Sequence, residues 1–261
     1  MSGLVRAELR KLFTTRAWWG MLLGVAGVSL GFALLIALIA GNEAAGGIGG
    51  VDNPATVRSI YTAGISTTYL FSLAAGILAM AGEWRHQTIS ATFLASPHRA
   101  RVVLAKVAGL VVLGGLYGLT SVVCGVATGA PVINARGGSL RLFSDEVPRS
   151  LALGVLAVAL WALFGLGIAT LIRNQVAALL LSIGVAWIVQ PILSAVITSL
   201  LHRPGIAAYL PSDATNAMLS PDVGDSGSQL LAWWAGALVM LAYAAVFAGV
   251  GAVLTLRRDI T

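Results

Sequence analysis

The chain has 261 residues, of which 58% are hydrophobic and 10% are charged, and its formal net charge is +6. A soluble domain carries about 25% charged residues, so a chain this poor in charge cannot cover a water-facing surface. Its mean hydropathy of +0.90 predicts an integral membrane protein and excludes an ordinary soluble enzyme. Cys124 is the single cysteine, which excludes an intramolecular disulfide and a thiolate metal site.

Six apolar runs predict transmembrane helices, because each has at least the roughly 20 residues that a helix needs to cross a membrane. The runs do not alternate as barrel strands do, so we predict an all-α integral membrane fold, a single transmembrane domain over 1–261. We expect the first run to be retained, since it is longer than a signal-peptide core. The predicted spans are Ala17–Ala40, Ser59–Gly82, Val102–Ala130, Ser150–Ile172, Gln175–Leu201 and Leu230–Leu256.

The charges outside these spans are distributed unevenly between the two sides. The side of the N-terminus carries eleven cations and three anions, a net of +8, and the other side five cations and seven anions, a net of −2. Loops rich in Lys and Arg stay in the cytoplasm, so we expect both termini to be cytoplasmic. The basic pI then reflects topology and contact with anionic lipids, and nucleic acid is not an expected partner.

The N-terminal segment Leu4–Arg16 is amphipathic, with Val5, Leu9, Leu12 and Phe13 on one helical face. It predicts an interfacial helix that lies in the headgroup plane before span one.

Four glycines in span one recur at i, i+4, i+7 and i+11, which predicts a small-residue ridge for helix packing. They are Gly20, Gly24, Gly27 and Gly31. The segment Gly27–Gly31 also fits the G-x-S-x-G nucleophile motif, but no span contains a histidine that could act as the base.

The predicted cytoplasmic link between spans two and three contains Ile89 and Phe93, an i, i+4 apolar pair that could dock into a partner groove. Ser96 and Pro97 read as the N-cap and first residue of the next helix. The link therefore predicts a short interfacial helix.

Ionisable side chains are absent from the interiors of the predicted spans, and Glu83, Lys106 and Arg149 lie at span ends, where they could snorkel. Buried ionisable groups do the work in proton- and ion-coupled carriers. Their absence counts against such a carrier and against a voltage sensor.

Motifs for a metal or nucleotide site are also missing. His86 and His98 are predicted on the opposite side from His202, so no metal cluster is expected. The P-loop string is absent, so we expect no cofactor and no ATPase site in this chain, and any work must come from another chain.

Polar residues form stripes in spans two and five, and Pro191 should kink span five. Interhelical hydrogen bonding is the default interpretation, and the lining of a pathway is the alternative. The stripes include Thr62, Ser66 and Tyr69 in span two and Ser182, Gln190 and Ser194 in span five.

Four segments occur in a characteristic order: Ala7–Lys11 with Arg16, Gly82–Arg101 with Lys106, Ile172–Ala177, and Tyr209–Pro211. With the six-span layout, they resemble the ABC type-2 permease family, the membrane halves of ATP-binding-cassette exporters. The resemblance covers nearly the whole chain.

The resemblance implies a coupling helix that docks on a separate ATPase subunit, which binds ATP and Mg²⁺, and a second permease copy in a homo- or heterodimer. It also implies that spans two and five line the route and that short re-entrant helices in 202–229 cap the exit. The implied coupling residues are Glu83, Trp84, Arg85, Thr88, Ile89, Phe93 and Leu94, and the implied elbow residues are Glu8, Arg10, Lys11 and Arg16.

The predicted function is therefore the permease subunit of an exporter for an amphipathic or lipid-like substrate. The excess of arginine over lysine, fourteen to two, is typical of a GC-rich bacterial genome, so the predicted location is a bacterial plasma membrane. The alternative is a non-transporting six-span protein with a self-protection or regulatory role. An intramembrane enzyme is a third possibility, but the predicted spans lack the paired catalytic groups that it would need. A passive channel is a fourth, and it would conduct without ATP.

Overall fold

The structure is a computed structural model and describes residues 2–42, 48–85, 99–144, 146–172, 174–219 and 231–257. Within these ranges the regular elements are all helical. They are α1 (Ser2–Thr14), α2 (Ala17–Ile39), α3 (Pro54–Thr62), α4 (Ile65–Arg85), α5 (Arg99–Ala135), α6 (Glu146–Leu171), α7 (Gln175–Gly184), a π-helical segment (Val185–Val189), α8 (Gln190–Ser199), α9 (Pro204–Ala207), α10 (Pro211–Leu219) and α11 (Trp233–Arg257).

Five helical stretches among the described residues are long and apolar enough to cross a membrane, which confirms an all-α, multi-pass membrane protein. The sixth predicted span, Leu230–Leu256, coincides with α11, whose apolar part Trp233–Phe247 is shorter than the others. The five stretches are Ala17–Ile39, Pro54–Glu83, Arg101–Ala135, Glu146–Leu171 and Gln175–Ser199.

The second span is interrupted between α3 and α4, whereas the sequence predicts one helix over Ser59–Gly82. A Cβ at Gly64 would overlap the side chain of Ser29, so α2 approaches the chain too closely there for any larger residue. Ser29, the serine of the nucleophile-like motif, donates to the Ser121 hydroxyl at 2.9 Å, and its Oγ lies 3.4 Å from that of Thr68. All three hydroxyls are buried and join α2, α4 and α5.

Span five contains a π-helical segment where the sequence predicts a kink. Pro191 has no N–H, and its ring would clash with the carbonyl of Trp187 in a regular α-helix. The π-helical turn Val185–Val189 comes immediately before it and supplies the wider turn that the ring needs.

Helix α6 lies at the centre of the fold: 67% of its most apolar window is buried, against 17% for the span of α7 and α8. It packs most closely against α4, where a Cβ at Gly76 would overlap the Ala162 carbonyl and one at Gly165 the Leu73 carbonyl. Trp161 stacks on Tyr69 with ring centroids 4.5 Å apart. The α4–α6 pair is therefore the rigid centre on which the other helices are placed.

The segment 136–144, for which the sequence predicts no role, covers one end of the bundle. The Arg136 guanidinium donates to the carbonyls of Leu38 and Ala40 at 3.0 and 3.1 Å. The Tyr61 hydroxyl donates to the Leu140 carbonyl at 3.0 Å. The two arginine bonds satisfy carbonyls at the end of α2, where a helix leaves its last carbonyls without a partner.

Candidate functional site

Four charged side chains meet where α1, α4 and α5 converge, and we call them the ion ring. Lys106 Nζ lies 2.9 Å from Glu8 Oε2 and 3.0 Å from Glu83 Oε1. Lys11 Nζ lies 2.9 Å from Glu8 Oε1 and 3.0 Å from Glu83 Oε1. Each lysine thus contacts both carboxylates, and the charges alternate around the ring.

Three of the four side chains of the ion ring are buried. Glu8 and Lys106 are each 5% exposed and Glu83 is 9% exposed, whereas the Lys11 side chain is 46% exposed. Burial alone would raise the pKa of Glu8, but its contacts with Lys106 and Lys11 outweigh it and lower that pKa. Burial alone would lower the pKa of Lys11, but hydrogen bonds and charge pairing with Glu8 and Glu83 raise it. Both groups therefore stay charged across neutral pH.

The ion ring connects elements that are far apart in the sequence. Glu8 and Lys11 lie on the predicted elbow, Glu83 lies in the last turn of α4, and Lys106 lies in the third turn of α5. Glu83 and Lys106, predicted at span ends, are covered by the elbow helix, which supplies their ion-pair partners. Glu8 and Lys11 at i, i+3 are a signal for part of this arrangement, but only tertiary packing brings Lys106 to them.

The other predicted elbow residues, Arg10 and Arg16, are exposed, and the Arg10 carbonyl accepts a hydrogen bond from Thr14 at 2.7 Å. Among the predicted coupling residues, Arg85 is exposed, with Nη1 3.5 Å from Gln175 Oε1. Trp84 belongs to the last turn of α4. The remaining coupling residues lie outside the described residues: Thr88, Ile89, Phe93 and Leu94.

A second region of interest is a cavity of about 230 Å³ between α4, α6, α7, α8 and α11, which we call the aromatic cavity. Phe164 is central to its wall, with ring centroids 5.0 Å from Trp161 and 5.3 Å from Phe247. Ser182 and Gln190 supply polar groups to the lining. The aromatic residues are not among the predicted site residues. Trp161 with Phe164 at i, i+3 and Tyr243 with Phe247 at i, i+4 are nevertheless a signal of a shared helix face.

Two of the predicted pathway residues, Ser182 and Gln190, line the aromatic cavity, and Tyr69 contacts two of its lining residues. The Tyr69 hydroxyl donates to the Ala186 carbonyl at 3.4 Å while its ring stacks on Trp161. Ser182 is 6% exposed, and its Oγ has no hydrogen-bond partner among the described residues. Gln190 Oε1 accepts a hydrogen bond from the Ser212 backbone N–H at 2.9 Å.

The other three predicted pathway residues lie elsewhere. Thr62 and Ser66 donate to the carbonyls of Arg58 and Ala63, at 3.0 and 2.7 Å, within their own helical turns. Ser194 hydrogen-bonds Asp213, and burial, which outweighs this bond, raises the pKa of that carboxyl. Ser194 and Gln190 thus tie α8 to the start of α10, and Gln190, unlike Ser194, also lines the aromatic cavity.

The predicted glycine ridge makes one close contact within the described chain. A Cβ at Gly24 would meet the Phe71 ring at 2.7 Å, whereas Gly20, Gly27 and Gly31 have no such neighbour within 4 Å.

The described residues contain no group of three or more His, Cys, Asp or Glu side chains that could hold a metal ion. A comparison with models of known protein families gives no match, and a comparison with curated protein sequences gives none either. The proposed function therefore depends on the geometry and on the pattern of the sequence.

Proposed function

We propose that this chain is the membrane subunit of an ATP-binding-cassette exporter, of the type-2 permease class. It forms the path for an amphipathic or lipid-like substrate, and ATP with Mg²⁺ is bound and hydrolysed by a separate subunit. In this proposal α11 is the sixth span, α9 and α10 are the re-entrant helices, and both termini lie in the cytoplasm of a bacterial cell.

The ion ring is the observation that carries this proposal. Residues 86–98 connect α4 to α5, and the ring binds the ends of both helices to the elbow α1 through contacts of 2.9 and 3.0 Å. A force applied to the connection by a cytosolic motor would therefore move α1, α4 and α5 as one body. Rigid-body movement of this kind is an established means of switching a site between two states.

The aromatic cavity supports the location of the path. Spans two and five meet there, as the family resemblance implies, and an apolar lining with few polar groups suits an amphipathic molecule. The cavity lies beside the π-helical segment, and such segments are frequent at functional sites.

The exposed apolar side of span five supports a second permease copy and lipid as partners. Leu180, Trp187 and Ile192 are each more than half exposed, which a membrane helix allows only against lipid or another protein. In the proposed complex, two permease chains and two ATPase subunits assemble together.

The experiment that tests the proposal uses Phe93, in the predicted coupling segment. The tagged chain is purified from its native membrane with any ATPase that remains bound, and the complex is reconstituted into liposomes. We expect hydrolysis that amphipathic compounds stimulate, and we expect Phe93→Asp to abolish this stimulation, because an aspartate cannot enter an apolar groove. The amount of chain in the membrane should not change.

Phe143 provides the matched control, since it is 97% exposed and is predicted on the opposite side of the membrane. Phe143→Asp should retain stimulated hydrolysis. Purification without an ATPase, or full stimulation in Phe93→Asp, would contradict the proposal.

Alanine substitutions at two serines of the predicted pathway distinguish a role in transport from a role in folding. We expect Ser182→Ala to raise the concentration of compound that gives half-maximal stimulation of hydrolysis, because Ser182 lines the aromatic cavity and its buried hydroxyl has no hydrogen-bond partner among the described residues. Its loss should leave the melting temperature equal or higher, since an unsatisfied buried group is removed. Ser66→Ala, at an exposed position, should change neither quantity, and equal effects of the two substitutions would argue against a path through this cavity.

A further inference from the structure

A second cavity, of about 440 Å³, lies beside the ion ring between α1, α2, α4, α5 and the start of α7, and we call it the ring cavity. Its polar wall consists of the ion ring together with Arg85 and Gln175. Its apolar wall is formed by Leu12, Trp18, Met21, Leu78, Leu113 and Tyr117.

The polar wall carries an excess of positive charge. It contains three cations, Lys11, Lys106 and Arg85, against the two carboxylates of Glu8 and Glu83. Lys106 is buried between the carboxylates, whereas Lys11 is partly exposed and Arg85 is exposed. The net charge of +1 is therefore presented by Lys11 and Arg85, which favours an anionic group.

The position of the ring cavity matches the level of lipid headgroups. Helix α1 ends at Thr14 and the spanning helix α2 begins at Ala17, so the polar wall lies where a membrane helix begins. The Trp18 indole donates to the Phe13 carbonyl at 2.7 Å, and tryptophan is enriched at membrane–water interfaces. Below it, Met21 and Leu113 extend the apolar wall along the spans.

We propose that the ring cavity binds an anionic membrane phospholipid, with its phosphate against Lys11 and Arg85 and an acyl chain along Trp18, Met21 and Leu113. The volume lies within the 300–1,000 Å³ of small-molecule sites. An amphiphile matches a cavity with one charged and one apolar wall, and a surrounding bilayer supplies it. This site does not require that the chain transports anything, so it stands or fails separately from the proposed function.

Gly82 allows the cavity to be filled without disturbing the ion ring. It lines the ring cavity, and among the described residues a Cβ there meets no heavy atom of another side chain or helix within 4 Å, so Gly82→Leu places a side chain in the open space. Gly115 on α5 is equally unobstructed and does not line the cavity, which makes Gly115→Leu the matched control. Arg85→Gln removes the excess charge and retains the length of the side chain.

The measurement is the number of lipids retained per chain by native mass spectrometry, after purification and equilibration with phosphatidylglycerol or phosphatidylcholine. We expect the wild-type chain to retain phosphatidylglycerol about fivefold more strongly, the ratio expected of one cation near a membrane surface. Gly82→Leu should lose the tightly retained lipid of both kinds. Arg85→Gln should retain both lipids equally, and Gly115→Leu should behave as the wild type does.

Equal retention of the two lipids by the wild-type chain would overturn the proposal, as would an equal loss in Gly82→Leu and Gly115→Leu. A separate arm adds excess inorganic phosphate at constant ionic strength. Displacement of phosphatidylglycerol by phosphate alone would show a site for free anions and would also overturn it. Retention in that arm supports a lipid site.

Discussion

Replacement of Lys106 by methionine is expected to lower the free energy of unfolding by about 3–5 kcal/mol, the usual cost of removing one partner from a buried ion pair. Lys106 is 5% exposed and contacts both carboxylates of the ion ring. Methionine fills much of the same volume, so the loss reflects uncompensated charge on Glu8 and Glu83 more than a cavity. Denaturation of the purified chain in mixed detergent micelles measures the change.

A second substitution distinguishes charge from packing. Glu8→Gln together with Lys106→Met leaves Lys11 paired with Glu83, so the double variant should be more stable than Lys106→Met alone. Lys11→Met should cost less than Lys106→Met, since the Lys11 side chain is 46% exposed and exposed ion pairs contribute little. A double variant as unstable as the sum of the single ones would mean that the ring charges do not interact.

The fold class could be predicted from the sequence because it depends on the lengths of apolar runs alone. The break between α3 and α4 is not predictable in this way, because the apolar run continues through Gly64, and the close packing of Ser29 against that glycine appears only in the structure. An irregularity near Pro191 is predictable, because the missing N–H is a property of proline itself. The sequence does not show whether that irregularity is a kink or a π-helical segment such as Val185–Val189.

The candidate site was less predictable, since it depends on contacts between distant residues. Glu8 and Lys106 are 98 residues apart, and each alone resembles an ordinary charge at a membrane interface. The aromatic cavity has the same origin, because Trp161 on α6 and Phe247 on α11 belong to different spans and neither is unusual in an apolar run.

The glycines show why spacing alone cannot identify a packing face. Gly20, Gly27 and Gly31 are regularly spaced, yet a Cβ at each would meet no neighbour within 4 Å in the part of the chain that the structure describes. Gly76 and Gly165 belong to no regular ridge, and they permit the contact between α4 and α6. A small residue allows close approach, but the position of the other helix decides whether that capacity is used.

Alanine substitutions at the closely packed glycines should therefore have a large effect on stability. Gly76→Ala and Gly165→Ala are each expected to destabilise the chain by about 1–3 kcal/mol, the usual cost of overpacking, because the added methyl overlaps a backbone carbonyl that cannot rotate away. Gly27→Ala is the control: it has open space, and alanine is the better helix former by about 1 kcal/mol, so its melting temperature should be unchanged or higher. A loss at Gly27 equal to that at Gly76 would mean that another helix covers α2 in the purified protein, as the predicted ridge requires. Cross-linking of single cysteines placed on α2 would then identify whether that helix comes from a second copy of this chain.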